Sequence, residues 1–132
     1  MKRGEVWWAA MPAPMGRRPV LVVQSNAFND SRVRSIVVAL ISSNLTLEAA
    51  PGNVRLSQGE GGVSKACVVN ISQLFAAERS CLTERLGALD ASVQQRVDAG
   101  LRLVLALPAG TGRGVMEPAA EYAVRKRSRR AE

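Results

Sequence analysis

Histidine is absent from the 132-residue sequence. That excludes paired-imidazole acid–base catalysis, a Ser-His-Asp triad and any His-ligated metal. Cysteine is scarce. Cys67 and Cys81 are too few for a zinc cluster and do not form a C-x-x-C pair. Each sits among apolar residues and reads as a buried free thiol. No stretch approaches membrane-spanning length, and the opening Met1-Lys2-Arg3-Gly4-Glu5 lacks the apolar run of a signal peptide. A cytoplasmic bacterial-type domain with no membrane contact is expected. No cofactor or metal is expected either, and there is no internal repeat.

What is present is positive charge. The net charge is +7, with the excess in residues 1–65 and 113–132, while 66–112 is balanced. Such a balance favours a polyanionic partner, nucleic acid first, although solubility alone also accounts for a charge of this size. The length suits one domain with a real core.

The chain is organised around Arg17-Arg18-Pro19-Val20-Leu21-Val22-Val23-Gln24. Pro19 fixes its own φ and biases Arg18 toward the extended region. The apolar run Val20–Val23 predicts a strand buried on both faces, from about Pro19 to Gln24. Arginines at the mouth of a buried strand are held rigidly enough to meet an anion. They are equally compatible with ordinary surface charge.

A first strand is expected over Gly4–Ala10, with one of Trp7 and Trp8 entering the core and the other facing outward. Trp7 reads as packing against a loop or second subunit, or as a base-stacking platform. Met11–Gly16 is a Pro-rich turn, and Ser25–Arg34 a turn or short helical segment. Ser35–Ile41 is a third strand, ended by Ser42-Ser43-Asn44. Thr46–Asn53 reads as a loop, Val54–Leu56 as a brief strand, and the glycine-rich Gln58–Val63 as a flexible connection. Ala66–Ile71 is a fifth strand that Ser72-Gln73 closes. Cys81–Leu86 is a short strand or turn. A helix follows from Leu89, capped by Asp90 or Ser92, with Val93, Val97, Leu101, Val104 and Leu105 as its apolar stripe. Gly100 inside it points to close packing. Residues 108–132 read as a Gly/Pro linker and a basic tail ending in Arg125-Lys126-Arg127-Ser128-Arg129-Arg130, either solvated or holding RNA. The whole is mainly β with α, an α+β domain.

If the second and third strands form an antiparallel hairpin that sets Gln24 against Ile36, the same register sets Arg18 against Ser42. Arg17, Arg18, Ser42, Ser43 and Asn44 then share one rim. Fixed charge and hydroxyls without imidazole or thiolate suit phosphate chemistry better than acyl transfer.

Over residues 2–107 the sequence resembles the MazF/PemK toxins of bacterial toxin–antitoxin pairs. The resemblance lies in Lys2-Arg3-Gly4-Glu5-Val6-Trp7, the Arg17–Gln24 segment, Ile41-Ser42-Ser43-Asn44, Pro51 leading into Val54, Val69-Asn70-Ile71-Ser72-Gln73, Arg79–Gly87 and the terminal helix. It implies a small SH3-like barrel of antiparallel strands with a C-terminal helix, forming a homodimer. It implies a metal-independent endoribonuclease that cuts single-stranded RNA at short motifs and is inhibited by a cognate antitoxin. It places catalysis on Arg18 and Ser42, and RNA contact on Gln73. The sequence departs from the pattern in two places. Serine replaces threonine at position 42, which keeps the hydroxyl and loses the β-branch. The loop before Arg17 is also short.

With neither imidazole nor metal to activate water, the expected reaction is attack by the RNA's own 2′-hydroxyl, leaving a 2′,3′-cyclic phosphate and a 5′-hydroxyl. Arg18 would stabilise phosphoryl charge, Ser42 would bond a phosphate oxygen or the attacking hydroxyl, and Arg17, Ser43, Asn44 and Gln73 would hold the substrate. Two alternatives keep the fold and drop the chemistry: a CcdB-like toxin that binds DNA gyrase, and a barrel that binds RNA and leaves it intact.

Overall fold

The structure is a computed structural model that describes residues 1–108. The expected linker and basic tail lie outside the described residues apart from Pro108. Six strands form one antiparallel sheet: β1 (Glu5–Ala10), β2 (Arg17–Val22), β3 (Ser35–Ser42), β4 (Val54–Leu56), β5 (Cys67–Glu78) and β6 (Leu82–Ala88). Their order is β4-β5-β3-β2-β1-β6. The sheet is curled into a half-barrel, and the C-terminal helix α2 (Ala91–Leu105) covers one face. A one-turn helix α1 (Asn26–Asn29) joins β2 to β3, begun by Ser25, whose hydroxyl accepts from the Phe28 amide.

The two-faced apolar runs are buried as expected. Leu21, Ala39, Ile41, Val69 and Ile71 line one face with Val6, beneath Val93 and Val97 of α2. Val20, Val22, Ile36 and Val38 line the other with Ala9. Each such valine, leucine or isoleucine, fully withdrawn from water, stabilises the fold by about 1.5–3 kcal/mol before the entropy of ordering it is counted. With both faces apolar, a one-residue slip would still put apolar side chains on each, so the hydrophobic pattern alone does not fix β2 against β3.

Asp90 caps α2, its Oδ1 accepting from the Val93 amide at 3.0 Å. That bond holds the Asp90 carboxyl below its ordinary pKa. A Cβ at Gly100 would collide with the Gly52 carbonyl, so the expected close packing is present, against the turn before β4. The stripe does not stay buried to its end. Val104 is partly exposed and Leu105 is 49% exposed, since the last helical turn runs past the buried face.

Several expectations are corrected. Gln58–Val63 is not a loose connection. It contains a 3-10 turn, Glu60–Gly62, and two of its three glycines, Gly61 and Gly62, are packed tightly. A Cβ at Gly62 would strike the Leu86 carbonyl, and one at Gly61 would press on Val6 and Leu89. Gly62 also has φ +81, a conformation that glycine adopts without a Cβ clash. The glycines thus let this segment lie against β6, the opposite edge of the sheet. Trp7 packs against the second core cluster without being fully buried, and Trp8 faces the other way. Both are half-buried, on opposite faces of β1. β2 begins at Arg17, ahead of Pro19. Thr46–Asn53 is not wholly loop, for Leu45–Ala49 forms a 3-10 turn. Ser72-Gln73 does not close β5, which continues to Glu78. Leu40 pairs with Asn70 and Ala39 with Leu74, so Ile71, Ser72 and Gln73 form an irregularity within one strand. Cys67 is buried and free, while Cys81 is free and only half-buried.

Candidate active site

The β2–β3 ladder pairs Val20 with Leu40, Leu21 with Ala39 and Val22 with Val38. Continued to the strand ends, this register brings Arg18 opposite Ser42 and Arg17 opposite Ser43. At the other end it is broken, because the amides of both Val23 and Gln24 donate to the Val37 carbonyl. The rim inferred from the sequence therefore exists where β2 enters and β3 leaves the sheet.

A cavity of about 270 Å³ opens at this rim, and Arg17, Arg18, Ser42 and Ser43 all line it. By strand alternation Arg18 belongs to the Ala9 and Val20 face, and Arg17 to the Trp8 face. They meet the same cavity because it lies at the end of the sheet, where both faces are open.

The two arginines are held differently. Arg17 Nη2 donates to Glu84 Oε1 at 2.8 Å, and its guanidinium lies 4.3 Å from the centroid of the Trp8 ring. Arg18 has no acidic partner among the described residues. Its Nε donates to the Met15 carbonyl at 3.1 Å, which leaves the outer edge of the guanidinium open. The Ser42 hydroxyl oxygen accepts from the Asn44 amide at 3.1 Å, so its own proton remains available to donate.

Asn44 and Gln73 are placed otherwise. The Asn44 side chain caps the following 3-10 turn, accepting from the Thr46 amide and the Thr46 hydroxyl, and it does not line the cavity. Gln73 is exposed and lines a separate, mostly apolar cavity of about 510 Å³ with Met11, Met15, Leu40 and Phe75. Met15 stands between the two cavities, since its carbonyl is the one that Arg18 holds.

Among the lining residues that sequence reasoning missed are Trp8, Ser64, Lys65 and Cys67. Trp7, weighed earlier as a stacking platform, instead packs on the second core cluster and donates its Nε1 to Glu5 at 3.0 Å. The signal for Lys65 was its isolation, as the one charged residue between Glu60 and Glu78. Burial pushes the Cys67 thiol up from its ordinary pKa, against the opposing pull of the Lys65 charge.

Other basic residues serve the fold. Arg3 bridges the Val23 carbonyl and Asp98 of α2. Arg79 donates to the carbonyls of Val33 and Asn29, clamping the loop after α1. Arg85 pairs with Glu5 at 2.8 Å. Burial pulls the Glu5 pKa upward, but bonds from the Lys2 amide, Trp7 and Arg85 outweigh it and leave the carboxyl below its ordinary value.

A curled antiparallel sheet with a cationic, hydroxyl-bearing cavity at one end defines a small β domain suited to phosphodiesters. The chain belongs to the family of PemK-like, MazF-like toxins of type II toxin–antitoxin systems, whose model matches residues 2–105. It is 40% identical over 112 residues to the endoribonuclease MazF6 of Mycobacterium tuberculosis, covering 81% of this chain and 98% of that one. Its identity to the endoribonuclease EndoA of Bacillus subtilis is 29% over 112 residues, covering 81% and 96%. Its fold is similar to that of a mycobacterial endoribonuclease solved with its cognate antitoxin, at a TM-score of 0.70 and 19% identity, over 83% of this chain and 99% of that one. It is also similar to a MazE–MazF structure from Deinococcus radiodurans, at a TM-score of 0.68 and 23% identity, over 82% and 97%.

Proposed function

We propose that this endoribonuclease toxin cuts single-stranded RNA at short sequence motifs without a metal, using the substrate's own 2′-hydroxyl. The observation that carries the reading is the pairing at the rim: an arginine without an acidic partner, set by register opposite a serine whose proton is free to donate. The 2′-oxygen attacks phosphorus and loses its proton, the bond from phosphorus to the 5′-oxygen breaks, and that oxygen takes up a proton. The products are a 2′,3′-cyclic phosphate and a 5′-hydroxyl. Arg18 stabilises the charge that builds on the phosphoryl oxygens, an effect worth about 10² to 10³ in rate for one well-placed donor. Ser42 bonds a phosphate oxygen or orients the attacking hydroxyl.

Support for metal independence comes from the residues themselves. Among the described residues no three His, Cys, Asp or Glu side chains converge on one point. Arg17 and Ser43 contact the substrate from the same cavity. Asn44 and Gln73 do so from neighbouring positions, outside it. The unit that acts is residues 1–107, as a cytoplasmic homodimer held in check by a cognate antitoxin, with 108–132 as an appendage. Among the described residues no helix is long and apolar enough to cross a membrane.

The test is to incubate the purified protein with a long RNA in excess EDTA and to weigh the fragments by mass spectrometry. Fragments ending in cyclic phosphate are expected. RNA that is bound and stays whole would support the non-cleaving barrel, and RNA that is ignored while gyrase is bound would support the CcdB-like reading.

A further inference from the structure

We propose that Lys65 is a second phosphate-binding cation of the cavity, holding an RNA phosphate that flanks the scissile one. This rests on the reading of the chain as an RNA-cleaving enzyme. Among the described residues three cations line the cavity, and no aspartate or glutamate does. Arg17 is balanced by Glu84 at 2.8 Å. Arg18 and Lys65 are the two with no acidic partner among the described residues. One phosphate group satisfies one of them, but a single strand brings a further phosphate with every nucleotide.

The two free cations come from separate walls. Arg18 stands at the entry of β2, and Lys65 on the segment leading into β5. That segment is anchored, because Gly62 sits hard against the Leu86 carbonyl and the Gly59 amide donates to the Val63 carbonyl at 2.8 Å. A lysine on a fixed backbone presents a point charge on a flexible stem. That suits a phosphate that has only to be held, whereas the planar fork of Arg18 suits oxygens whose charge changes during reaction. Lys65 is exposed at the cavity wall, where its ammonium is open to a ligand.

The experiment compares the wild type with Lys65→Ala, Lys65→Arg and Lys2→Ala, the last removing a charge away from the cavity. Each binds a single strand made uncleavable by one 2′-deoxy nucleotide, between about 50 and 200 mM salt. Lys65→Ala should weaken binding about tenfold at the lower salt and make the log–log slope about 0.7 shallower. Lys65→Arg should restore both, and Lys2→Ala should leave both near wild type. On the all-ribose strand Lys65→Ala should raise KM and leave kcat nearly unchanged. When the phosphates flanking the scissile one are replaced singly by neutral methylphosphonates, the effect of Lys65→Ala should vanish at one of them. An unchanged slope, a loss confined to kcat, or an effect that survives every replacement would overturn the proposal. Should the wild type bind RNA and never cut it, the cleavage reading falls, and the slope and replacement series still decide whether Lys65 holds a phosphate.

Discussion

Arg17 lies over the Trp8 ring with its guanidinium tied to Glu84 at 2.8 Å, while Arg18, its neighbour in sequence, meets no carboxylate among the described residues. Adjacent arginines on one strand therefore have different charge available to a ligand. Arg18→Ala should lower cleavage by about 10² to 10³ with the fold intact, since the side chain is exposed and among the described residues holds only the Met15 carbonyl. Arg17→Ala should cost much less. Glu84→Gln should tighten RNA binding slightly, because it frees the Arg17 charge while the exposed ion pair itself contributes under about 1 kcal/mol to stability. Rates and circular dichroism of the three variants check this, and equal losses for the two arginine variants would reject the assignment of Arg18.

Ser42 is half-buried at the end of β3, and among the described residues its hydroxyl makes one bond, accepting from the Asn44 amide. Removing the hydroxyl should therefore affect stability little and activity strongly. Ser42→Ala should cleave poorly and melt within a few degrees of wild type. Ser42→Thr should remain active, since a hydroxyl at the same carbon can still accept from Asn44 and donate to the substrate. An alanine variant with full activity would move the role to Ser43, the hydroxyl just past the end of β3 that also lines the cavity.

Much of the strand layout was legible, because the apolar runs Val20–Val22 and Ile36–Ile41 read as buried strands. The pairing of Arg18 with Ser42 followed from a hairpin that sets Gln24 against Ile36; the ladder keeps that register toward Arg18 and loses it at Gln24, where the amides of Val23 and Gln24 both donate to the Val37 carbonyl. The site's other half was not legible. Lys65 and Ser64 reach the cavity through tight packing of Gly61 and Gly62 on β6, and glycine looks the same in a sequence whether it frees a segment or lets it be buried. Trp8 and Trp7 differ only in which face of β1 they take. Alternation separated them, but not which of them would meet the cavity. The end of β5 was misread because Ser72 and Gln73 carry turn chemistry. The ladder overrides it by absorbing three residues opposite the step from Leu40 to Ala39.

Gly100 offers a test in which two effects oppose each other. On helix propensity alone, alanine at this position should stabilise α2 by about 1 kcal/mol. The Gly52 carbonyl lies where the new methyl would go, and overpacking of this kind costs about 1–3 kcal/mol. Backbone does not yield as a flexible side chain does, so the collision should win. Gly100→Ala is expected to lower the urea midpoint. A raised midpoint would mean that the helix does not approach this turn so closely.

The reaction itself makes the sharpest demand. With no histidine in the chain, and no three metal-binding side chains converging among the described residues, the protein is poorly equipped to make a strong nucleophile from water near neutral pH. An unpartnered arginine and a serine hydroxyl can stabilise charge and orient groups, but the nucleophile then has to come from the substrate. RNA supplies it in the 2′-hydroxyl, which DNA lacks. Replacing the ribose on the 5′ side of the scissile phosphate by its 2′-deoxy form should abolish cleavage at that bond and weaken binding only modestly. Bonds elsewhere in the same strand should still be cut, and excess EDTA should change nothing. Gel analysis of a strand carrying two copies of one cleavage motif, only one of them 2′-deoxy, checks all of this in a single lane. Cutting at the modified copy would require an external nucleophile, and the mechanism drawn through Arg18 and Ser42 would have to be abandoned.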